Sequence, residues 1–197
     1  PDGDADALLD GGTTDWGGVA SGTFNAKGII VSGSLTGGTA GTAATAANIQ
    51  TAMDKFKNAE DVDVTLLMTA DADAASAIHA INNIAEYRKE CVAFISPTQA
   101  NVVDNAGSEV ADVVAFRNSM PSSSYAVLDS GWKYMYDKYN DVYRYIPLNG
   151  DVAGCCAFTD ESRDPCWSPA GIDRGNIRNA IKLPFNPNKT QRDSLYK

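Results

Sequence analysis

Between Gly28 and Leu128, short runs of aliphatic and β-branched residues alternate with stretches in which apolar residues recur every three or four positions. The runs Gly28-Ile-Ile-Val-Ser32, Val62 to Met68, Cys91 to Ile95 and Ser124 to Leu128 predict buried strands. Between them, Ile49, Ala52, Met53 and Phe56 form one helical stripe, with Asp54, Lys55 and Lys57 outside it. A second helix is predicted over Ala74 to Lys89, with Ile78, Ile81, Ala85 and Arg88 near one face. A third covers Ser108 to Asn118 through Val110, Val113, Val114 and Arg117, and stops before Met120-Pro121. Strand, helix and strand in succession imply parallel pairing, and strands this apolar need helices on both faces. The expected fold is an α/β three-layer sandwich with a mixed, mainly parallel sheet flanked by helices.

At Trp132 the period changes from helical to alternating. Trp132, Tyr134 and Tyr136 project one way and Lys133, Met135 and Asp137 the other; beyond Tyr139, Asn140 and Asp141, Tyr143 and Tyr145 alternate with Val142, Arg144 and Ile146. This predicts a β-hairpin turning at Asn140 and Asp141. Pro147 ends its second strand and opens a helix from Leu148 to Phe158. Asn179 to Leu183 reads as an extended piece, and Asn188 to Lys197 as a polar helix capped by Asn188 or Thr190, with its apolar partner expected elsewhere.

The segment 1–27 is rich in Gly, Asp, Thr and Ala and is expected to be irregular, which leaves 28–197 as one α/β core domain. Cys166-Trp-Ser-Pro-Ala-Gly-Ile-Asp-Arg-Gly175 reads as a built loop. Ser168, Pro169, Ala170 and Gly171 would set a tight turn, Asp173 would cap the segment after it, and Arg174 would place its charge beside Trp167, whose ring is expected to be buried.

With 25 acidic against 16 basic residues, the formal charge of -9 argues against a phosphate-binding surface, so nucleic acid is not expected as a partner. No apolar run is long enough to span a bilayer, and no secretory leader is present, so no membrane partner is expected. The chain starts without Met and looks like a piece of a longer one. Cys91, Cys155, Cys156 and Cys166 lack zinc spacing and are expected to be reduced, mostly buried thiols of a reducing cytoplasm.

Sharper chemical readings fail for want of partners. Gly33 to Thr39 sits where nucleotide-binding loops sit, but a phosphate cradle needs a Lys where Thr39 stands. His79 is the only histidine, so neither a charge relay nor a His-based metal site has a second member. Asp61, Asp63, Asp71 and Asp73 alternate as calcium ligands do, yet no Gly and closing Glu follow at loop spacing. No catalytic residues, cofactor or metal are expected.

Order and spacing of several unusual words carry a resemblance. Tyr125, Trp132-Lys-Tyr-Met-Tyr-Asp-Lys-Tyr-Asn-Asp141, Ile146-Pro-Leu148, Asp151-Val-Ala-Gly154, Thr159-Asp160, Trp167-Ser-Pro-Ala-Gly171, Arg174-Gly175 and Gln191-Arg-Asp193 together resemble the tail sheath proteins of contractile-tailed bacteriophages, the T-even type most closely. The match is dense over the C-terminal half and a pattern of elements before it. The resemblance implies a non-enzymatic subunit of the virion, assembled in the host cytoplasm. Its copies stack as hexameric rings around the tail tube protein, meet baseplate and tail terminator proteins, and contract to drive the tube through the host envelope for genome ejection. It also implies terminal arms that add strands to neighbouring subunits, and these are expected to lie outside this piece. On this reading Asp61, Asp63, Asp71 and Asp73, with Asp104 and Glu109, would meet basic groups on another face: Arg174, Arg178, Lys182, Lys189 and Arg192. A Rossmann-like nucleotide-binding enzyme is the alternative, supported by strand-helix alternation alone; an adhesion or receptor-binding module is a third.

Overall fold

The computed structural model describes residues 38 and 41–196, and every element below lies in a compact unit spanning Ala44–Lys197. The expected strand at Gly28, the irregular 1–27 segment and most of the Gly33 to Thr39 loop fall outside the described residues.

Helix α1 (Ala46–Met53) starts where the Thr45 side chain accepts from Asn48 N, then tightens into a 3-10 turn over Asp54–Phe56. Only part of the expected stripe is covered. Met53 is buried and Ile49 packs beside it, whereas Ala52 and Phe56 are exposed, because the tightened last turn rotates Phe56 off the helical stripe. Strand β1 is confined to Leu66–Met68, shorter than expected, because Asn58 to Val62 closes a turn through Val62 N to Asn58 O. Helix α2 begins at Asp73, whose side chain accepts from Ser76 N at 3.2 Å. It runs over Ala74–His79, widens into a π segment over Ala80–Ala85 and closes as Glu86–Arg88, ending at Lys89 with φ +60°.

Strand β2 (Val92–Ile95), a four-residue helix α3 (Gln99–Val102), helix α4 (Glu109–Ser119) and strand β3 (Ala126–Leu128) follow. The strands pair β1-β2-β3, all parallel, in register Leu67↔Ala93 and Phe94↔Val127. Alternation then sorts the side chains. Leu67 and Ala93 pack with Met53, Ala80, Ile84, Ala85 and Cys91; Ile95 packs with Ala77, Ile81, Phe116 and Met120. These clusters place α1, α2 and α4 on one face of the sheet. Phe94, 2% exposed, points the other way, where α5 (Asn149–Ser162) packs against β1 and β2. The result is the expected α/β arrangement of helices on both faces of a mainly parallel sheet.

The expected hairpin forms as β4 (Trp132–Asp137) and β5 (Val142–Pro147), antiparallel, with Tyr134↔Tyr145 and Tyr136↔Tyr143 opposite one another. The Asn179 to Leu183 piece contributes only a single bridge, Tyr134↔Lys182, along the outer edge of β4. Helix α6 (Lys189–Leu195) carries a full capping box between Asn188 and Gln191. Its apolar partner is present within this chain: Leu195 packs on Val102, Val103, Val113 and Trp132.

Candidate functional site

Among the described residues, a buried hydrogen-bond network lies where the parallel strands end. The chain leaves β2 through Ser96 and Pro97 and leaves β3 at Asp129. Ser96 Oγ donates to Asp129 Oδ2 at 2.6 Å and accepts from Asn149 N at 3.0 Å. Asn149 Nδ2 reaches Ala70 O, just past β1, at 2.7 Å, and so ties the start of α5 to all three strand ends. Burial pushes the Asp129 carboxyl up to about 6, against hydrogen bonds from Ser96 and Gly131 N that pull it down. Beside it, Lys133 is 6% exposed; its Nζ pairs with Asp151 Oδ1 at 2.8 Å and donates to Arg178 O at 3.0 Å. Each of these hydrogen bonds runs between protein groups, so the network joins elements.

The ring buried against the domain is Trp132. It is 3% exposed, sits among Val102, Val103 and Val113, and donates from Nε1 to Pro97 O at 2.8 Å. Trp167, expected to be buried, is 51% exposed. Among the described residues, the Arg174 and Arg163 guanidiniums lie over its ring, at 5.2 and 5.9 Å. The turn around it is built as expected. Ala170 N donates to Ser168 Oγ, Arg174 Nε to Ser168 O at 3.0 Å and Arg174 Nη2 to Ala170 O at 3.3 Å. Gly171 has φ +146°, and Gly175 N donates to Gly171 O at 2.9 Å in a space where a Cβ would lie 3.0 Å from Gly171 N. Asp173 caps no helix, because residues 172–174 are a turn; it instead lines, with Asp151, Arg174 and Arg178, a hollow of about 380 Å³ beside α5.

The hairpin tip also follows its chemistry. Asn140 Nδ2 donates to Asp137 Oδ2 at 2.7 Å and so holds the Asp137 carboxyl below the usual range, while Asp141 takes φ +54°. Tyr139 is 86% exposed, and Tyr134 stacks on Tyr143 at 5.5 Å with Lys182 over its ring at 4.9 Å.

Asp61, Asp63, Asp71 and Asp73 are exposed, as are Arg178, Lys182, Lys189 and Arg192. Asp73 is engaged as a helix cap, Arg178 stacks on Phe158 at 6.0 Å and Arg192 Nη1 reaches Pro187 O. His79 bridges Asp54 (2.9 Å) and Asn83 (2.7 Å) and thereby pins α1 to the π segment. Cys91 is buried and Cys155 and Cys156 half-buried, each thiol pushed up by burial; Cys166, expected with them, is exposed because its loop leaves the core. Among the described residues no group of three or more His, Cys, Asp and Glu could hold a metal ion, and no helix is long and apolar enough to cross a membrane. Sequence reasoning missed Ser96, Asp129 and Asn149. Only the polar residue directly following each apolar strand signals the first two.

Comparison with known proteins agrees with this geometry. The family model of the phage tail sheath protein central domain matches residues 42–197. The tail sheath protein of Enterobacteria phage T4 is 37% identical over 179 residues, covering 82% of this chain and 27% of the relative. That of Vibrio phage KVP40 is 36% identical over 165 residues, 73% of this chain and 25% of the relative, and that of Salmonella phage ViI is 39% identical over 119 residues, 60% and 19%. The chain thus spans about a quarter or less of the length of these curated relatives. An unbroken family match over the whole described α/β unit, from α1 through the hairpin and the Trp167 loop to α6, establishes that the chain belongs to the phage tail sheath protein family.

Proposed function

We propose that this chain is the rigid core of a contractile tail sheath subunit, a virion component assembled in the host cytoplasm. In the full-length protein, copies stack as hexameric rings around the tail tube protein, bounded by baseplate and tail terminator proteins. On triggering, the sleeve shortens and widens, drives the tube through the host envelope and permits genome ejection. No catalytic role, cofactor or nucleic-acid contact belongs to this reading.

The observation that carries it is the sheath central-domain match across residues 42–197 on a bonded α/β core whose polar network is turned inward. A sleeve that rearranges must keep its subunits intact while their mutual contacts exchange. The buried hub at the strand ends suits the first demand. The exposed acids Asp61, Asp63, Asp71 and Asp73 and the exposed bases Arg178, Lys182, Lys189 and Arg192 suit the second, because solvent-exposed pairs break and reform at low cost.

The test is electron microscopy of the full-length chain, alone and with Arg178 and Lys189 both reversed to Glu. Sleeves or stacked rings are expected from the unmodified chain, and slower assembly with an altered salt dependence from the reversed one. Failure of the unmodified chain to form rings or sleeves would refute the sheath reading. Unchanged assembly and salt dependence on reversal would leave the charges a role in solubility alone.

A further inference from the structure

Between α5 and α6 the chain forms one isolated bridge and otherwise no strand or helix, and from 163 to 183 not one residue is buried. A connection this long without an element of its own is uncommon. It is tied chiefly to itself: Trp167 N donates to Asp164 O, Arg174 to Ser168 O and Ala170 O, Gly175 N to Gly171 O, and Asn176 Nδ2 to Ile172 O.

Among the described residues, its hydrogen bonds to the rest of the domain beyond the end of α5 converge on two adjacent residues of β4. Lys133 Nζ donates to Arg178 O at 3.0 Å. Tyr134 N donates to Lys182 O, and Tyr134 O accepts from Ile181 N, both at 2.9 Å. Towards α5 the segment stands off: Asp173 and Asn176 face Gly154 and Cys155 across the hollow of about 380 Å³, and Arg178 reaches the Phe158 ring only at 6.0 Å. Its two ends are fixed. Thr159, buried, anchors the last turn of α5, and beyond Pro184 the chain is held by Phe185 and Leu195 against Val102, Val103, Val113 and Trp132.

We propose that residues 163–183 form a strap that lifts from the domain as a unit, turning on its two fixed ends, while the parallel sheet, the Ser96 hub and the hairpin stay closed. Lifting breaks three hydrogen bonds and uncovers little apolar surface, because nothing in the strap is fully buried. Lys133 exchanges the Arg178 carbonyl for water and keeps Asp151, so no buried charge is left unpaired. The motion carries Trp167 and Ile172 with it and bares the outer backbone edge of β4, which gives the domain two surfaces on one unchanged core. Every contact involved lies within one chain, so the device is independent of the sheath reading.

Amide hydrogen exchange of the 197-residue chain, read residue by residue by NMR at low urea, tests it. Alternation along β4 sends the Tyr134 N–H to the strap and the Met135 N–H to β5, so neighbouring amides of one strand report different openings. Tyr134 and Ile181 are expected to exchange together, about 100-fold or more faster than Met135 and Ala93. Ile181→Pro removes one of the three bonds from a position 57% exposed. In that variant Tyr134 is expected to exchange about tenfold faster still, with Met135, Ala93 and Asp129 within about twofold of the parent. Parent Tyr134 as protected as Met135, or opening apart from Ile181, overturns the proposal. So does an Ile181→Pro chain in which Ala93 and Asp129 lose protection along with Tyr134, since strap and core would then open as one, or one in which Tyr134 exchange is unchanged.

Discussion

Truncating the two C-terminal-half tryptophans in turn separates a ring that holds the core from one that does not. Trp132 is 3% exposed, fills the space between Val102, Val103 and Val113, and supplies the hydrogen bond to Pro97 O. Trp132→Ala should cost about 3 to 5 kcal/mol for the lost burial and the cavity, with the stranded carbonyl moving the value toward the upper end. Trp132→Phe keeps most of the apolar surface but abandons the carbonyl, and about 1 to 3 kcal/mol is expected. Trp167 is half exposed with two guanidiniums over its ring, so Trp167→Ala should cost about 1 kcal/mol or less. Far-UV circular dichroism of the 197-residue chain reads the difference without depending on the removed fluorophores. At about 2 to 4 °C per kcal/mol for a domain of this size, Trp132→Ala should lower Tm by roughly 10 °C and Trp167→Ala by less than about 4 °C. A Trp167→Ala variant as unstable as Trp132→Ala, or a Trp132→Ala variant within about 1 kcal/mol of the parent, would refute the assignment of the core.

Three further outcomes rest on individual contacts. Because burial raises the Asp129 carboxyl to about 6 in the folded state, the proton is held more tightly there than in the unfolded chain. Its stabilising contribution is complete below about pH 4 and is lost as pH rises through 6. The stability difference between the parent and Asp129→Asn, measured by urea melts from pH 4 to 7, should therefore shift by up to about 3 kcal/mol in favour of the Asn variant, and a flat difference would show that Asp129 does not titrate in this window. Lys133→Met leaves Asp151 and the Arg178 carbonyl without their donor and should cost about 3 kcal/mol, most of it recovered by adding Asp151→Leu; equal losses in the single and double variants would speak against a paired buried charge. Gly175→Ala places a Cβ 3.0 Å from Gly171 N, so amide exchange across residues 171–175 should accelerate while Tm stays nearly unchanged; retained protection would mean the loop closes without that contact.

What the sequence determined by itself is what a few neighbouring residues decide. The change of period at Trp132 reported the hairpin, Asn188 reported its helix start, and Pro169, Gly171 and Gly175 reported a turn with a set geometry, because capping and turn chemistry act within three or four residues. The exposed charges were legible for the same reason: Asp and Arg stay wet unless something distant covers them. Which tryptophan is buried was not legible. Both sit in aromatic, turn-rich surroundings, and the choice falls to Pro97, Val102 and Val103, which reach Trp132 from 29 to 35 residues back by way of a helix α3 too short to show any period. The Ser96, Asp129 and Asn149 hub was hidden likewise, since bonds spanning 33 and 53 residues exist only once three parallel strands end side by side. The tertiary structure alone decided the exposure of Trp167 and Ile172, because a loop can specify its own backbone but not whether anything packs against its tip.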